Sequence, residues 1–397
     1  ATSSNKQITI QNNEFYDYGY AGVMIGKQAS NVYVENNLFK DINTRKLNGL
    51  SYGVAVAPGS STFQYSEYIY IRNNTIENNP VWEGIDSLGA NYLFIEDNEI
   101  IDCRIPISVA QINDDGKYPV PVHDVTIKGN YLKGNFSAEK QDSGIYVLGG
   151  RNSARTVVQP YIKAHISDNT IVDVNNWLVS DDGAIVLRHV KYAVVKGNDI
   201  SGTGGTGINL QDATEVVMQD NEIKNMKQIA GDVIGVKMLP IVQDNIIILI
   251  NNTFDGSATY NAYSHSKFGH TYQVNLMNQD TSKFYTLNGG MDLVTPSEPE
   301  TEASPANDEE DAYPVAKLAI RFVPGGNGLT FDGGGSTDDN GIVSYSWDFD
   351  ASNGIQEEAT GEVVSHDFSV PGRFKVTMTV TDTKGQQDTD SLLVVVN

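Results

Sequence analysis

One octet recurs through roughly the first 280 residues and constrains the fold more than any other feature: apolar, any, apolar, two polar residues, Asn, any, apolar. It reads ITIQNNEF, VYVENNLF, IYIRNNTI, LFIEDNEI, VTIKGNYL, AHISDNTI and VVMQDNEI, with shortened forms VVKGNDI and ILINNTF. The shared asparagines are Asn13, Asn37, Asn74, Asn98, Asn130, Asn169, Asn198, Asn221 and Asn252. Their spacing, roughly 23 to 39 residues, suits one coil of a parallel β-helix with and without loop insertions. Stacked carboxamides can donate to one coil and accept from the next, satisfying groups that a corner would otherwise bury unpaired. Asn also tolerates the left-handed backbone of a sharp corner.

A second phrase, Gly-apolar-any-apolar, follows each asparagine: GVMI from Gly22, GVAV from Gly53, GIDS from Gly84, GIYV from Gly144, GINL from Gly207 and GVKM from Gly235, with PISV from Pro106 and AIVL from Ala184 as looser versions. Period-two alternation points the apolar members inward. Stacking the coils then lays Met24, Ala55, Asp86, Ser108, Tyr146, Val186, Asn209 and Lys237 along one outer stripe. The repeat fades after Asn252, and AYSHSKFGHTYQVNLMNQD is expected to form the last coil and a cap, because an open solenoid end exposes core and strand edges. The first coil begins almost at residue 1 with no amphipathic helix before it, which leaves room for an upstream part of the solenoid.

The expected fold class is therefore all-β, a right-handed parallel β-helix over 1–294. Residues 295–312, TPSEPETEASPANDEEDA, are Pro-rich and acidic with no large apolar side chain, and read as an extended linker. Residues 313–397 switch to short alternating strands between turn signals, as a small Ig-like β-sandwich should. That stretch resembles the PKD (polycystic-kidney-disease) domain family in Trp347-Asp348-Phe349, in Asp338 with Gly341, and in Pro371-Gly372 before FKVTMTVTD, which ends at Asp382. It departs at Asp350, where the family often has Gly. The resemblance implies a secreted or cell-surface protein and an accessory role for this domain.

Charge and composition narrow the partners. A formal net charge of -23 speaks against nucleic acid and anionic membrane surfaces, which need clustered Lys and Arg. No stretch approaches the roughly 20 apolar residues of a membrane-spanning helix, so no membrane insertion is expected. Cys103 is the sole cysteine, which rules out an internal disulfide; at the end of an apolar run it reads as a buried, inert thiol.

Loop insertions locate a groove. Excess residues precede the Gly-strand in the coils of Gly53, Gly144 and Ala184 and follow it in those of Gly53, Pro106 and Gly144, which would wall a trough over one strand face. Three groups fall there. Asp181 and Asp182, with Arg188 and His189 at the end of the same strand, could hold Ca²⁺ or an acid proton, with Arg or His handling a proton or a substrate carboxylate; a plain Asp-Asp-Gly turn is the competing reading. Trp82, Glu83 and Asp86 combine a platform for a sugar ring with the two carboxylates that glycoside hydrolysis requires, against the plain reading of a Trp packed under a loop. Arg104, Asp142 and Arg151, with Tyr146 and Asn209, read as substrate-binding or structural residues.

Over residues 1–290 the chain resembles the pectate-lyase-like superfamily, whose members act mostly on polysaccharides. DDGAIVLRH followed by KGNDISGTGGTGINL is similar to the alginate lyase and chondroitinase B family, and the likeness implies a catalytic role for Arg188. The Lys base of that family would fall in GIYVLGGRN, which has no Lys; Arg151 is the nearest cation there. The expectation is a secreted enzyme cleaving a polysaccharide, with β-elimination of a uronate polymer placed ahead of hydrolysis by paired carboxylates, and a non-catalytic surface adhesin as the third reading. No metal is assigned beyond the Ca²⁺ candidate.

Overall fold

The structure is a computed structural model that describes residues 7–26, 28–44, 49–57, 66–110, 124–135, 142–149, 162–175, 182–229, 231–241, 243–266, 268–294, 313–322, 329–350, 356–368 and 372–396. It divides into two compact units, Ala1–Thr295 and Pro296–Asn397. The expected linker, 295–312, lies outside the described residues. Among the described residues no helix is long and apolar enough to cross a membrane.

The first unit is a parallel β-helix. Each coil contributes one strand to an eleven-stranded parallel sheet that runs from Ile8–Gln11 to Met291–Val294. After the asparagine corner come a short strand and then the Gly-strand, both belonging to a second, closed sheet. In Thr75–Ser87 and Glu99–Ala110 these two segments run on as single strands of 13 and 12 residues. Inside, equivalent residues stack as columns: Ile76, Ile100, Leu132, Ile171, Ile200 and Ile223 are all buried. Each such side chain contributes about 1.5–3 kcal/mol by leaving water. Cys103 is buried in this core, and burial pushes its thiol up to about 12, so it is the inert thiol expected.

The asparagines superimpose rung on rung. Each side-chain oxygen accepts from both the backbone N–H and the Nδ2 of the asparagine one coil earlier, at 3.0 and 2.9 Å where Asn130 donates to Asn169. The remaining Nδ2 hydrogen goes back to a carbonyl of the preceding coil, as Asn130 does to Ile95 at 2.9 Å. The corner's left-handed backbone belongs to the residue before each asparagine, not to the asparagine itself: Asn12, Asn36, Asn73, Asp97, Gly129, Asp168, Gly197, Asp220 and Asn251, and likewise Asn278 before Gln279, have φ between 46° and 67°. The ladder also outruns the expected end of the repeat. Asn252 donates to Gln279 Oε1 at 3.0 Å, and parallel strands continue through Tyr260–His265, Tyr272–Met277 and Phe284–Leu287. Gln279 holds the rung that Asn holds elsewhere.

The outer stripe is in register along its whole length: Met24, Ala55, Asp86, Ser108, Tyr146, Val186, Asn209 and Lys237 are successive partners, and the column goes on to Tyr263 and Tyr285. Coils approach closely where the Gly-strand begins; a Cβ on Gly84 would lie 2.7 Å from the Pro106 carbonyl oxygen. The insertions expected to wall the trough, residues 45–48, 58–65, 111–123, 136–141, 150–161 and 176–181, lie outside the described residues.

The second unit packs a three-stranded and a four-stranded antiparallel sheet around Trp347, Phe331, Val376, Met378 and Val380. Trp347 is fully buried and its Nε1 donates to the Gly361 carbonyl at 2.7 Å. Asp348 and Asp382 hold turns, each accepting two backbone N–H bonds, from Asp350 and Gln356 and from Lys384 and Gln386.

Candidate functional site

The site is assembled at the start of the Gly-strand in the coil of Thr75–Ser87. Asn79, fully buried, accepts from Ser51 Oγ at 2.6 Å and from the Trp82 N–H at 3.3 Å, and donates from Nδ2 to the carbonyls of Ser51 (2.9 Å) and Glu83 (2.8 Å). One amide thus fixes the backbone on both sides of Trp82. The strand then carries Glu83 opposite Tyr52 and Ile105, and Asp86 opposite Ala55 and Ser108.

Glu83 and Asp86 are 6% and 3% exposed and line a cavity of about 500 Å³ together with Tyr52, Trp82, Ser108, Asp142, Tyr146, Asp182 and Arg188. Burial raises the Glu83 carboxyl to about 7, against the opposing pull of hydrogen bonds with Ser108 and Trp82 and of the Arg104 charge. Asp86 is raised well above its ordinary range, first by burial and then by the Glu83 charge, with a Ser108 hydrogen bond opposing. The same hydroxyl therefore serves both acids. It has one proton, so it donates to one carboxylate and accepts from the other only when that one is protonated. Asp86 Oδ1 and Asp142 Oδ1 are buried acceptors with no partner. The Tyr52 phenol is raised too, by burial and then by the Asp86 and Glu83 charges.

Behind this pair Arg104 donates from Nε to Asp142 Oδ2 at 2.8 Å, and a terminal nitrogen of its guanidinium lies 2.7 Å from the same oxygen. Its guanidinium carbon lies 4.6 Å from the centre of the Trp82 ring, within cation–π range. One side of the indole is thereby occupied, while Trp82 also lines the cavity.

Of the residues singled out from the sequence, the fold brings Trp82, Glu83, Asp86, Asp142, Tyr146, Asp182 and Arg188 around one cavity, with Arg104 behind Trp82. It does not bring His189. That residue is 3% exposed at a left-handed corner (φ 54°), with Nδ1 3.7 Å from Asp212 Oδ2, so it is no proton handler for this cavity. Asn209 is fully buried and donates to the Asp182 carbonyl at 3.2 Å, a structural contact in place of the expected substrate contact. Asp181 and Arg151 lie outside the described residues, and with Asp181 the proposed Ca²⁺ pair. Among the described residues no group of three or more His, Cys, Asp or Glu is arranged to hold a metal. Sequence reasoning passed over Ser108, Tyr52 and Asn79 as site residues; Ser108 was visible only as a polar member of the outer stripe.

The family profile described as the right handed beta helix region matches residues 1–163 and 121–285, and the PKD domain profile matches residues 311–396. The Mus musculus dyslexia-associated protein KIAA0319-like protein is 37% identical over 100 residues, a match that covers 22% of this chain and 9% of that protein. Among solved structures, the PKD1 domain of the Vibrio cholerae metalloprotease PrtV is 34% identical over 22% of this chain and 99% of that one, with a TM-score of 0.19. The tailspike protein of E. coli bacteriophage HK620, solved in complex with a pentasaccharide, is 12% identical over 98% of this chain and 67% of that one, with a TM-score of 0.42.

Proposed function

The chain belongs to the right-handed β-helix family and carries a PKD domain, and from that premise we propose that it is a secreted or cell-surface enzyme hydrolysing glycosidic bonds of a polysaccharide. The observation that carries the reading is the acid pair: Glu83 and Asp86 buried in one cavity and served by one Ser108 hydroxyl. Two carboxyls held this close in low dielectric do not both ionise readily, so near neutrality the dyad keeps one proton and one charge. Arg104 favours the charge on Glu83, and the Glu83 charge in turn holds the proton on Asp86. Asp86 is then the acid that protonates the leaving oxygen, and Glu83 the carboxylate that acts as base or nucleophile. Trp82 and Tyr146 supply ring surfaces for the sugar.

β-Elimination keeps one supporting feature, Arg188 in the cavity wall. The Lys base that the likeness implies is not in the wall among the described residues, and His189 does not line it. The two chemistries separate in one experiment. The full chain is incubated with a panel of polysaccharides, and products are read both as new reducing ends and as the ultraviolet absorbance of an unsaturated uronate. Reducing ends without absorbance, lost in Glu83→Gln and Asp86→Asn, are the expected result. Absorbance rising in step with reducing ends assigns a lyase, and no product from any glycan leaves a binding protein.

A further inference from the structure

The charge inventory of the cavity bears on which sugars can enter it. Its lining holds four carboxyl groups, on Glu83, Asp86, Asp142 and Asp182, and one cation, Arg188, among the described residues. The second guanidinium nearby, that of Arg104, is committed twice over, to a single oxygen of Asp142 and to the face of Trp82. A uronate would bring a further negative charge into this group of four carboxyls, with a single guanidinium in the lining to set against it. It would also enter against the net charge of the chain, -23.

Donors, by contrast, are wanted. Asp86 Oδ1 and Asp142 Oδ1 are buried acceptors without a partner, two coils apart in the lining of the same cavity. A sugar hydroxyl supplies a donor to such an oxygen, and a carboxylate supplies none. The apolar face of the ring has Trp82 and Tyr146 to lie against.

We infer that the cavity selects neutral pyranose residues, whose hydroxyls donate to the free oxygens of Asp86 and Asp142, and rejects sugars that carry a carboxylate. This deepens the reading of the cavity as a polysaccharide site and rests on it. The direction is opposite to the uronate preference that the Leu187-Arg188-His189 likeness implies.

The test measures binding and turnover separately. The full chain is run in affinity electrophoresis through gels holding, in turn, neutral glucans, mannans and galactans, and the uronate polymers polygalacturonate and alginate. The neutral polymer that retards it most is then oxidised at its primary hydroxyls to carboxylates and run again. The expected result is retardation by a neutral polymer, at least tenfold weaker binding after oxidation at low salt, and a smaller loss at high salt, where charge repulsion is screened. In Asp182→Asn, which removes one wall charge, the discrimination against the oxidised polymer narrows. A uronate polymer that binds as well as or better than every neutral one overturns the inference, and so does oxidation without effect. A neutral polymer that binds but yields no reducing ends leaves the selectivity standing and removes the hydrolytic reading.

Discussion

Arg104 gives two nitrogens to one oxygen of Asp142, Nε at 2.8 Å and a terminal nitrogen at 2.7 Å, while the Asp142 N–H donates to the Arg104 carbonyl at 3.0 Å. The two residues come from successive coils, so the pair ties the coil that follows Trp82 and Glu83 to the one beyond it. Both side chains are largely sheltered, at 18% and 13% exposure, which keeps solvent from screening the pair away. The guanidinium so fixed lies over Trp82 and pulls the Glu83 carboxyl downward. One ion pair therefore sets both the sugar platform and the electrostatics of the acids.

Asp142→Asn keeps the shape and removes the charge. Hydrogen bonds to a charged group contribute about 1.5–3 kcal/mol, and unfolding in urea should register a loss of that order. Trp82 is then less firmly held, so KM is expected to rise several-fold. Wild-type values for both stability and KM would show that the pair holds nothing in place.

The acids give the pH dependence a definite sign. The productive state needs Glu83 ionised and Asp86 protonated, so kcat/KM should rise as pH passes through about 7 and fall again where Asp86 loses its proton. Arg104→Met removes the cation that favours the Glu83 charge, and the rising limb should move to higher pH. Glu83→Gln should lower kcat by about 10² or more, the usual contribution of a positioned acid or base. Stability runs the other way. Between the ordinary Glu value of 4.5 and about 7 the folded chain holds a proton on Glu83 that the unfolded chain has released. Rising pH then costs stability, at most about 1.4 kcal/mol per unit, until the folded carboxyl has itself ionised. Urea midpoints at several pH values, compared with Glu83→Gln, read this slope; a slope that survives the substitution belongs to another group.

The architecture was legible because its signal is repeated. A residue that must stack on its own image in the next coil recurs in sequence, and the Asn corner and the alternating Gly-strand together set the register that places Asp86 beside Ser108 and Ser108 beside Tyr146. Gln279 escaped notice because a carboxamide one methylene longer fills the rung without matching the pattern. The acid pair was half legible. Glu83 and Asp86 share a pentapeptide, but what couples them is a hydroxyl from the next coil, whose strand opens with Pro106 in place of Gly and so carries the weaker form of the phrase. His189 misled because adjacency along the chain says nothing of direction once the backbone turns left-handed at that residue.

Removing one rung of the ladder should cost more in the middle than at the end. Asn130→Ala leaves the Asn98 N–H and Nδ2 without their shared acceptor and the Ile95 carbonyl without its Nδ2 donor, all away from water, while the Asn169 oxygen keeps only the backbone N–H of residue 130. Each unpaired buried group costs about 1–3 kcal/mol, so a loss of several kcal/mol in urea unfolding is expected. Asn13→Ala, at a partly exposed rung, should cost about 1 kcal/mol. Equal losses at the two positions would mean that the bonds do not act through burial.

His189 offers the sharpest separation between stability and catalysis. Its ring is packed beside Asp212, which has no exposed surface and whose Oδ1 accepts from the Ile241 N–H at 2.7 Å. Asp212 also adds to the upward shift of the buried Tyr272 phenol, second to burial itself, so His189 belongs to an internal polar cluster spanning several coils. His189→Asn retains a residue suited to the left-handed corner while deleting most of the ring. The packing loss should lower stability by about 1–3 kcal/mol. Because the ring does not line the cavity, kcat per folded molecule should stay within about twofold of wild type, whereas Asp86→Asn should lose activity with little loss of fold. The reverse pattern, with His189→Asn stable and inactive, would put the reacting atoms on the far side of Arg188 and displace the Glu83 and Asp86 dyad from the chemistry.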